Sequence, residues 1–145
     1  MRTSGRIEDR SQLESDNTPL RHLYIGGKDK TLLELITDYF NVVDEMLWQK
    51  QSNGSFIRKT VGVLALFDVL RDALIAGDIK VDDVDKTTRL LFKNAKGIDF
   101  GDDFFHASGA GRVRIRNVLK TLVGLSVKDD PIVTEAVNRL VASRV

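Results

Sequence analysis

Residues 104–119 carry the side chains and glycines best suited to bind an anion. Their sequence, FFHASGAGRVRIRNVL, places two glycines around Ala110 and then arginines at alternate positions. A glycine-rich turn that leads into a helix leaves backbone N–H groups without intrahelical partners, and the helix dipole adds positive potential there. Such a turn can hold a phosphate or a carboxylate, and adjacent arginines strengthen the hold through charged hydrogen bonds. The predicted phosphate-binding residues are Ser108, Gly109, Gly111, Arg112, Arg114, Arg116 and Lys120.

The same segment admits three interpretations. Arg112, Arg116 and Lys120 lie four residues apart, so on a helix they form a basic stripe that can follow the backbone of DNA or RNA. Alternatively, the glycines make only a tight turn, and the arginines are solvated or paired with aspartates. An acidic protein surface is a third partner. Under the nucleic-acid interpretation, reversal of Arg112 and Arg116 to Glu abolishes binding and preserves helicity.

Two smaller features bear on binding. Arg58 and Lys59 lie near a predicted helix start, where positive charge opposes the dipole, which indicates an anion or a carboxylate nearby. Trp48 lies off the main apolar stripe of its helix. An exposed Trp can stack on a base or contact a partner, but more often it covers the edge of the core, and we favour that role.

Catalytic and metal-binding chemistry has little support in the sequence. His106 lies close to Asp99, Asp102 and Asp103, which are ligand types for a divalent cation. We favour the alternative, in which Asp102 or Asp103 caps a short helical turn and His106 is an ordinary surface residue. No histidine is spaced to activate Ser108 as a nucleophile. We therefore expect no enzymatic activity, no metal and no cofactor.

Composition restricts the classes of protein further. The chain has 145 residues, 42% hydrophobic and 30% charged, with a formal net charge of +1. No global field therefore attracts nucleic acid or membranes, and any basic function depends on local clustering. The absence of cysteine excludes disulfides and thiolate metal sites and fits a cytoplasmic location. The N-terminus lacks the apolar region of a secretory signal, and no apolar run is long enough to span a bilayer.

Hydrophobic periodicity predicts an all-α bundle of about five helices. Residues 1–19 are polar and without periodicity, so we predict a flexible tail or linker, followed by one helical domain at 20–145. Thr31 and Glu34 match a capping box for the first helix. The second helix is apolar nearly all round, which is typical of the middle of a bundle. The predicted helices begin near Thr31, at Ser55 or Phe56, at Asp82 or Asp83, after Gly111 and at Asp130-Pro131, and Gly77 and Gly97 end the second and third.

The glycine-rich segment resembles a helix-hairpin-helix motif, a small element that binds the DNA backbone. The matching positions include Phe104, Gly109, Gly111 and Leu119, whereas Ile115 replaces the small alanine of the pattern. The resemblance implies a helix before the hairpin, in the short stretch GDDFFHA.

A second resemblance covers residues 33–74 and 105–122. It rests on Asp38-Tyr39-Phe40-Asn41, on KTVGVLAL from Lys59, and on the stretch from Ser108-Gly109 to Asn117-Val118-Leu119. These segments resemble the C-terminal helical part of DGQHR-domain proteins, bacterial proteins that include regulators of DNA sulfur modification. The Asp-Gly-Gln-His-Arg signature is absent, so the resemblance implies only the helical half of such a protein. Activity of the signature domain is not carried over.

These features together predict a cytoplasmic, non-enzymatic accessory or regulatory module of a nucleic-acid-related system, which binds DNA or RNA phosphates with little sequence specificity. The alternative is a protein-protein interaction or oligomerisation module, because the second and fifth helices are highly apolar and can find cover in a partner chain.

Overall fold

The computed structural model describes residues 29–52, 54–106 and 109–144, which form five α-helices and no β-strand. This confirms the predicted all-α bundle. The predicted tail at 1–19, and Ser108, lie outside the described residues. None of the described helices has the length and apolar character needed to cross a membrane. The helices are α1 (Asp29–Val43), α2 (Thr60–Ala76), α3 (Val84–Phe92), α4 (Gly111–Val123) and α5 (Pro131–Ala142).

Helix α1 begins earlier than its capping signal predicts. It starts at Asp29, so Thr31 lies inside the helix and the predicted capping box is wrong. Its apolar stripe, which includes Leu35 and Tyr39, is buried. The helix continues into a π-helical turn, Asp44–Trp48, in which the Gln49 amide donates to the Asp44 carbonyl over 2.9 Å.

Helix α2 begins later than predicted, because a 3₁₀ turn, Phe56–Arg58, precedes it. The backbone of Ile57 packs directly against Gly62, where a Cβ atom would overlap the Ile57 carbonyl group. This close approach allows the chain to enter the helix at a sharp angle. The predicted end at Gly77 is confirmed, and this glycine adopts a left-handed φ of 83°.

Of the remaining helices, only α5 begins with a side chain that caps it; the side chain of Asp83 makes no capping hydrogen bond to α3. Asp83 precedes α3, which ends at Phe92 and is followed by a 3₁₀ turn, Lys93–Ala95, rather than extending to Gly97. The Asp130 carboxylate accepts a hydrogen bond from the Ile132 amide at 3.0 Å, which confirms the predicted start of α5.

Helices α2 and α4 run parallel, in close contact. Val61 lies beside Gly111 at their amino ends, and Asp72 pairs with Lys120 further along both helices. Helix α2 buries Leu66, Val69 and Leu70 completely, but α4 is the helix that packs against α2, α3 and α5, so the predicted central position of α2 is wrong. Both helices therefore begin at the same end of the molecule.

Aromatic rings connect α1 to α2 at the edge of the core. The Tyr39 hydroxyl donates to the Leu66 carbonyl over 2.6 Å. Phe40 packs against both Trp48 and Phe67, with ring centroids 5.8 and 4.9 Å away. The Trp48 indole N–H donates to the Ile57 carbonyl at 3.0 Å, so the predicted position of this residue at the core edge is confirmed.

Candidate anion-binding site

The predicted basic stripe lies along the face of α4 that packs against α2. Arg112 donates two hydrogen bonds, of 2.7 and 2.8 Å, to the carboxylate of Asp68, which is only 5% exposed. Lys120 pairs with Asp72 over 2.7 Å. The stripe is thus engaged within the protein, as in the interpretation that pairs the arginines with aspartates.

Arg116 is less completely paired than its neighbours on the stripe. Its guanidinium lies 3.9 Å from Asp68, beyond hydrogen-bonding distance, and its Nε donates to the Asn117 side chain over 3.2 Å. The hydrogen bonds to Asp68 raise the pKa of Arg112 above its ordinary value, so this side chain stays charged. We call Asp68, Asp72 and their basic partners on α4 the interhelical ion pairs.

These ion pairs change the expected effect of charge reversal. A Glu at position 112 would face the buried carboxylate of Asp68 and repel it. The expectation that reversing Arg112 and Arg116 leaves the helices intact therefore does not fit this packing, and a cleaner test must use other residues.

Arg114 points away from the interhelical ion pairs. It donates to the Phe104 carbonyl over 2.9 Å, and its guanidinium lies 4.7 Å from the centroid of the Phe104 ring. A cation in this position over an aromatic ring is attracted by the ring's quadrupole. The four predicted basic residues of α4 therefore separate into two groups.

The two glycines at the start of α4, Gly109 just before the helix and Gly111 as its first residue, serve different purposes. Gly109 adopts a left-handed φ of 75°, which other residues rarely tolerate. Gly111 is buried, and a Cβ atom there would lie 3.2 Å from the Phe105 carbonyl oxygen and 3.7 Å from Val61. Only a 3₁₀ turn, Asp103–Phe105, stands where the helix-hairpin-helix resemblance implies a helix.

The amino termini of α2 and α4 form a positively polarised surface. Neither helix has an acidic residue in its first turn, and neither N-cap side chain accepts a hydrogen bond from its helix. The Lys59 ammonium lies 4.7 Å from the Phe56 ring centroid, and His106 stacks on the same ring with centroids 5.5 Å apart. We call this region the amino-end surface; it comprises Phe56, Arg58, Lys59, Phe104, His106, Gly109 and Arg114.

The sequence signal for this surface was the basic pair at positions 58 and 59. Its aromatic component was missed, because the stacking of His106 on Phe56 joins residues far apart in the chain. Arg58, Lys59 and His106 are all exposed, whereas Phe56 is half-buried.

Asp102, one of the acidic residues beside His106, has structural partners. The Asp102 carboxylate accepts hydrogen bonds from the Phe104 amide at 2.9 Å and from Arg139 at 2.7 and 3.0 Å. The predicted capping of a short turn is confirmed. The hydrogen bonds from Arg139 keep the pKa of Asp102 below its ordinary value. Across the described ranges, no group of three His, Cys, Asp or Glu side chains is arranged to hold a metal ion.

Comparison of the chain with models of protein families, with curated proteins and with solved structures finds no match in any of the three. The class of protein is therefore defined by its fold and site: an all-α bundle with a basic, aromatic-lined surface at one end.

Proposed function

We propose that this protein is a non-enzymatic accessory or regulatory module that binds the phosphate backbone of a nucleic acid through the amino-end surface. The observation that carries the proposal is the parallel arrangement of α2 and α4, whose amino termini lie side by side without an acidic residue in either first turn. The positive ends of both dipoles, and amide donors of both helices, therefore act on the same region of solvent.

Side chains add charge and stacking capacity to this region. Lys59 and Arg114 each lie over an aromatic ring, which places positive charge beside the stacked rings of Phe56 and His106. Unpaired bases stack on such rings with little preference for sequence, while cations contact the phosphates. The amino-end surface thus suits binding that is sensitive to salt and weakly specific.

The ion pairs between α2 and α4 reduce the number of cations available for phosphates. Lys120 is engaged by Asp72, and Arg112 by Asp68. We therefore expect two to three phosphate contacts rather than a long basic track, which corresponds to a slope of log K against log salt of about −2 to −3.

The cellular setting belongs to the same proposal. The chain has no cysteine, which fits a reducing cytoplasm. The resemblance to the helical part of DGQHR-domain proteins suggests a bacterial system that acts on DNA.

The test is the anisotropy of labelled single- and double-stranded DNA and RNA, titrated with the full chain at two salt concentrations. We expect binding that weakens steeply with salt and that the double variant Lys59→Gln/Arg114→Gln reduces at least about tenfold. The matched control is Lys86→Gln/Lys93→Gln, which removes two positive charges from exposed positions on and just after α3. Equal binding by the two double variants, or none at low salt, would refute the proposal.

Self-association is a second candidate function with an observation of its own. Leu33, Leu90 and Ile132 expose 65%, 64% and 62% of their surface, which a partner chain would cover. Helix α2, in contrast, is largely covered within the chain. Light scattering during size-exclusion chromatography of the same samples distinguishes the roles, because a stable dimer that retains no nucleic acid favours self-association.

A further inference from the structure

A groove along the later turns of α2 and α4 carries more positive than negative charge. Its volume is about 480 Å³, within the range of sites for small molecules. Four cationic side chains line it, together with the single carboxylate of Asp72. The cations are Arg71 on α2, Arg116 and Lys120 on α4, and Lys128 in the connection to α5.

Two carboxylates near this groove, Asp68 and Asp72, already accept hydrogen bonds from basic side chains of the protein. Asp72 accepts from Lys120 with one oxygen and from Arg71 with the other, at 2.7 and 3.1 Å. Asp68 uses both of its oxygens for Arg112. One terminal nitrogen of Arg116 lies 3.9 Å from an Asp68 oxygen, and one of Arg71 lies 4.0 Å from the other. Both distances are too long for hydrogen bonds.

Donors in the groove therefore outnumber acceptors. The only hydrogen bond of the Arg116 guanidinium within the described part of the chain goes from Nε to Asn117. Its terminal N–H groups, those of Arg71, and the exposed ammonium of Lys128 have no acceptor among the described residues. Guanidinium groups with free terminal donors match the oxygens of phosphate in both geometry and charge.

We infer that this groove binds a multiply charged phosphate group, held by Arg71, Arg116 and Lys128, with Lys120 kept in place by Asp72. This groove is separate from the amino-end surface. Lys59 lies about 18 Å from Arg71 along the axis of α2, at a helical rise of about 1.5 Å per residue. The phosphate can belong to a small compound or to a polymer backbone, since both present the same oxygens.

Isothermal titration of the full chain with inorganic pyrophosphate at low salt tests this site. We expect binding at a single site, weakened at least about tenfold by Lys128→Gln and by Arg116→Gln. Lys128 is exposed, so its variant should fold normally, and circular dichroism checks the fold of Arg116→Gln. Lys59→Gln removes the same charge from the amino-end surface and should leave the affinity for pyrophosphate unchanged.

Two results would overturn the inference: no binding at millimolar pyrophosphate, or equal losses of affinity in Lys59→Gln and Lys128→Gln. Competition with an unlabelled oligonucleotide identifies the source of the phosphate. Displacement of pyrophosphate indicates a polymer backbone, and retention indicates a small phosphate compound; either result supports the groove as the site. A Lys59→Gln/Arg114→Gln protein that binds pyrophosphate but not oligonucleotides would separate this site from the proposed function.

Discussion

Thr88 is a polar residue whose environment suits an apolar one. It is fully buried on α3, and its hydroxyl has no hydrogen-bond partner within the described residues. A buried hydroxyl without a hydrogen-bond partner lowers the free energy of unfolding by about 1–3 kcal/mol. A methyl group of similar size has no hydrogen bonds to water to lose. We predict that Thr88→Val stabilises the protein by about 1 kcal/mol, measured by urea unfolding.

Thr88→Ser is the matched control for this prediction. It keeps the hydroxyl and removes the buried methyl group, so it should destabilise the protein by about 1 kcal/mol. Valine and threonine are both β-branched and have similar helix propensities, so the helix itself should not change. A destabilised valine variant would mean that the Thr88 hydroxyl has a partner in solution.

At the scale of elements, the ion pair between Asp68 and Arg112 holds α2 against α4. Removal of Arg112 leaves a buried carboxylate without its two closest donors, whereas removal of Asp68 leaves a half-exposed guanidinium that water can solvate. We predict that Arg112→Ala lowers the melting temperature by about 3–6 °C, and more than Asp68→Ala does. Thermal unfolding followed by circular dichroism measures both changes.

The double variant completes this comparison. Because the two side chains contact each other, Asp68→Ala/Arg112→Ala should lose less stability than the two single variants together. Additive losses would show that the pair does not couple the helices. High salt should reduce the difference between the variants, since screening weakens the half-exposed partner.

Local signals predicted the end of α2 and the start of α5, whereas partners distant in sequence could not be predicted. Asp130-Pro131 and Gly77 act through neighbouring backbone atoms, so their effects follow from sequence alone. The capping box predicted at Thr31 is wrong because the same pattern of residues also occurs inside helices. The signal for the interhelical ion pairs was the spacing of Asp68 and Asp72, two acids four residues apart on an otherwise apolar helix.

Whether the basic stripe faces solvent or another helix depends on Asp68 and Asp72, which are distant from it in sequence. Arg112, Arg116 and Lys120 share one face at any helix orientation, and periodicity alone does not say whether this face meets solvent or another charge. Likewise, Phe56 and His106 meet only because the turns before α2 and α4 lie at the same end of the bundle. The candidate site was therefore predicted in its residue types but not in its geometry.

For the whole molecule, three described carboxylates with a lowered pKa link stability to pH: Glu45, Asp72 and Asp102. Partial burial raises the pKa of Asp72, but hydrogen bonds from Lys120 and Arg71 outweigh this and lower it. Arg139 lowers the pKa of Asp102. In the pH range below the ordinary carboxyl pKa, the unfolded chain binds more protons than the folded one. The stabilisation of the folded state by these ionised carboxylates is therefore complete above about pH 5 and decreases as the pH falls below about 4.

Urea unfolding between about pH 7 and pH 3 checks this prediction. The free energy of unfolding should stay nearly constant to about pH 5 and then fall. The free energy of unfolding of Asp102→Asn should be lower at neutral pH and fall less steeply, because this variant lacks one of the three groups. A free energy that is unchanged down to about pH 3 would contradict the roles of Glu45, Asp72 and Asp102.

The parallel course of α2 and α4 also has a consequence for how the chain folds. Parallel neighbours cannot be joined by a short turn, so the connection from Gly77 to Ala110 must close as a long loop before the two helices meet. The entropy of that closure is lost before any interhelical contact compensates for it. We therefore expect α4 and α5, which are in contact and joined by a short connection, to associate before α4 packs against α2. The docking of α4 should then limit the rate, which makes folding slower than in an up-and-down bundle of equal size.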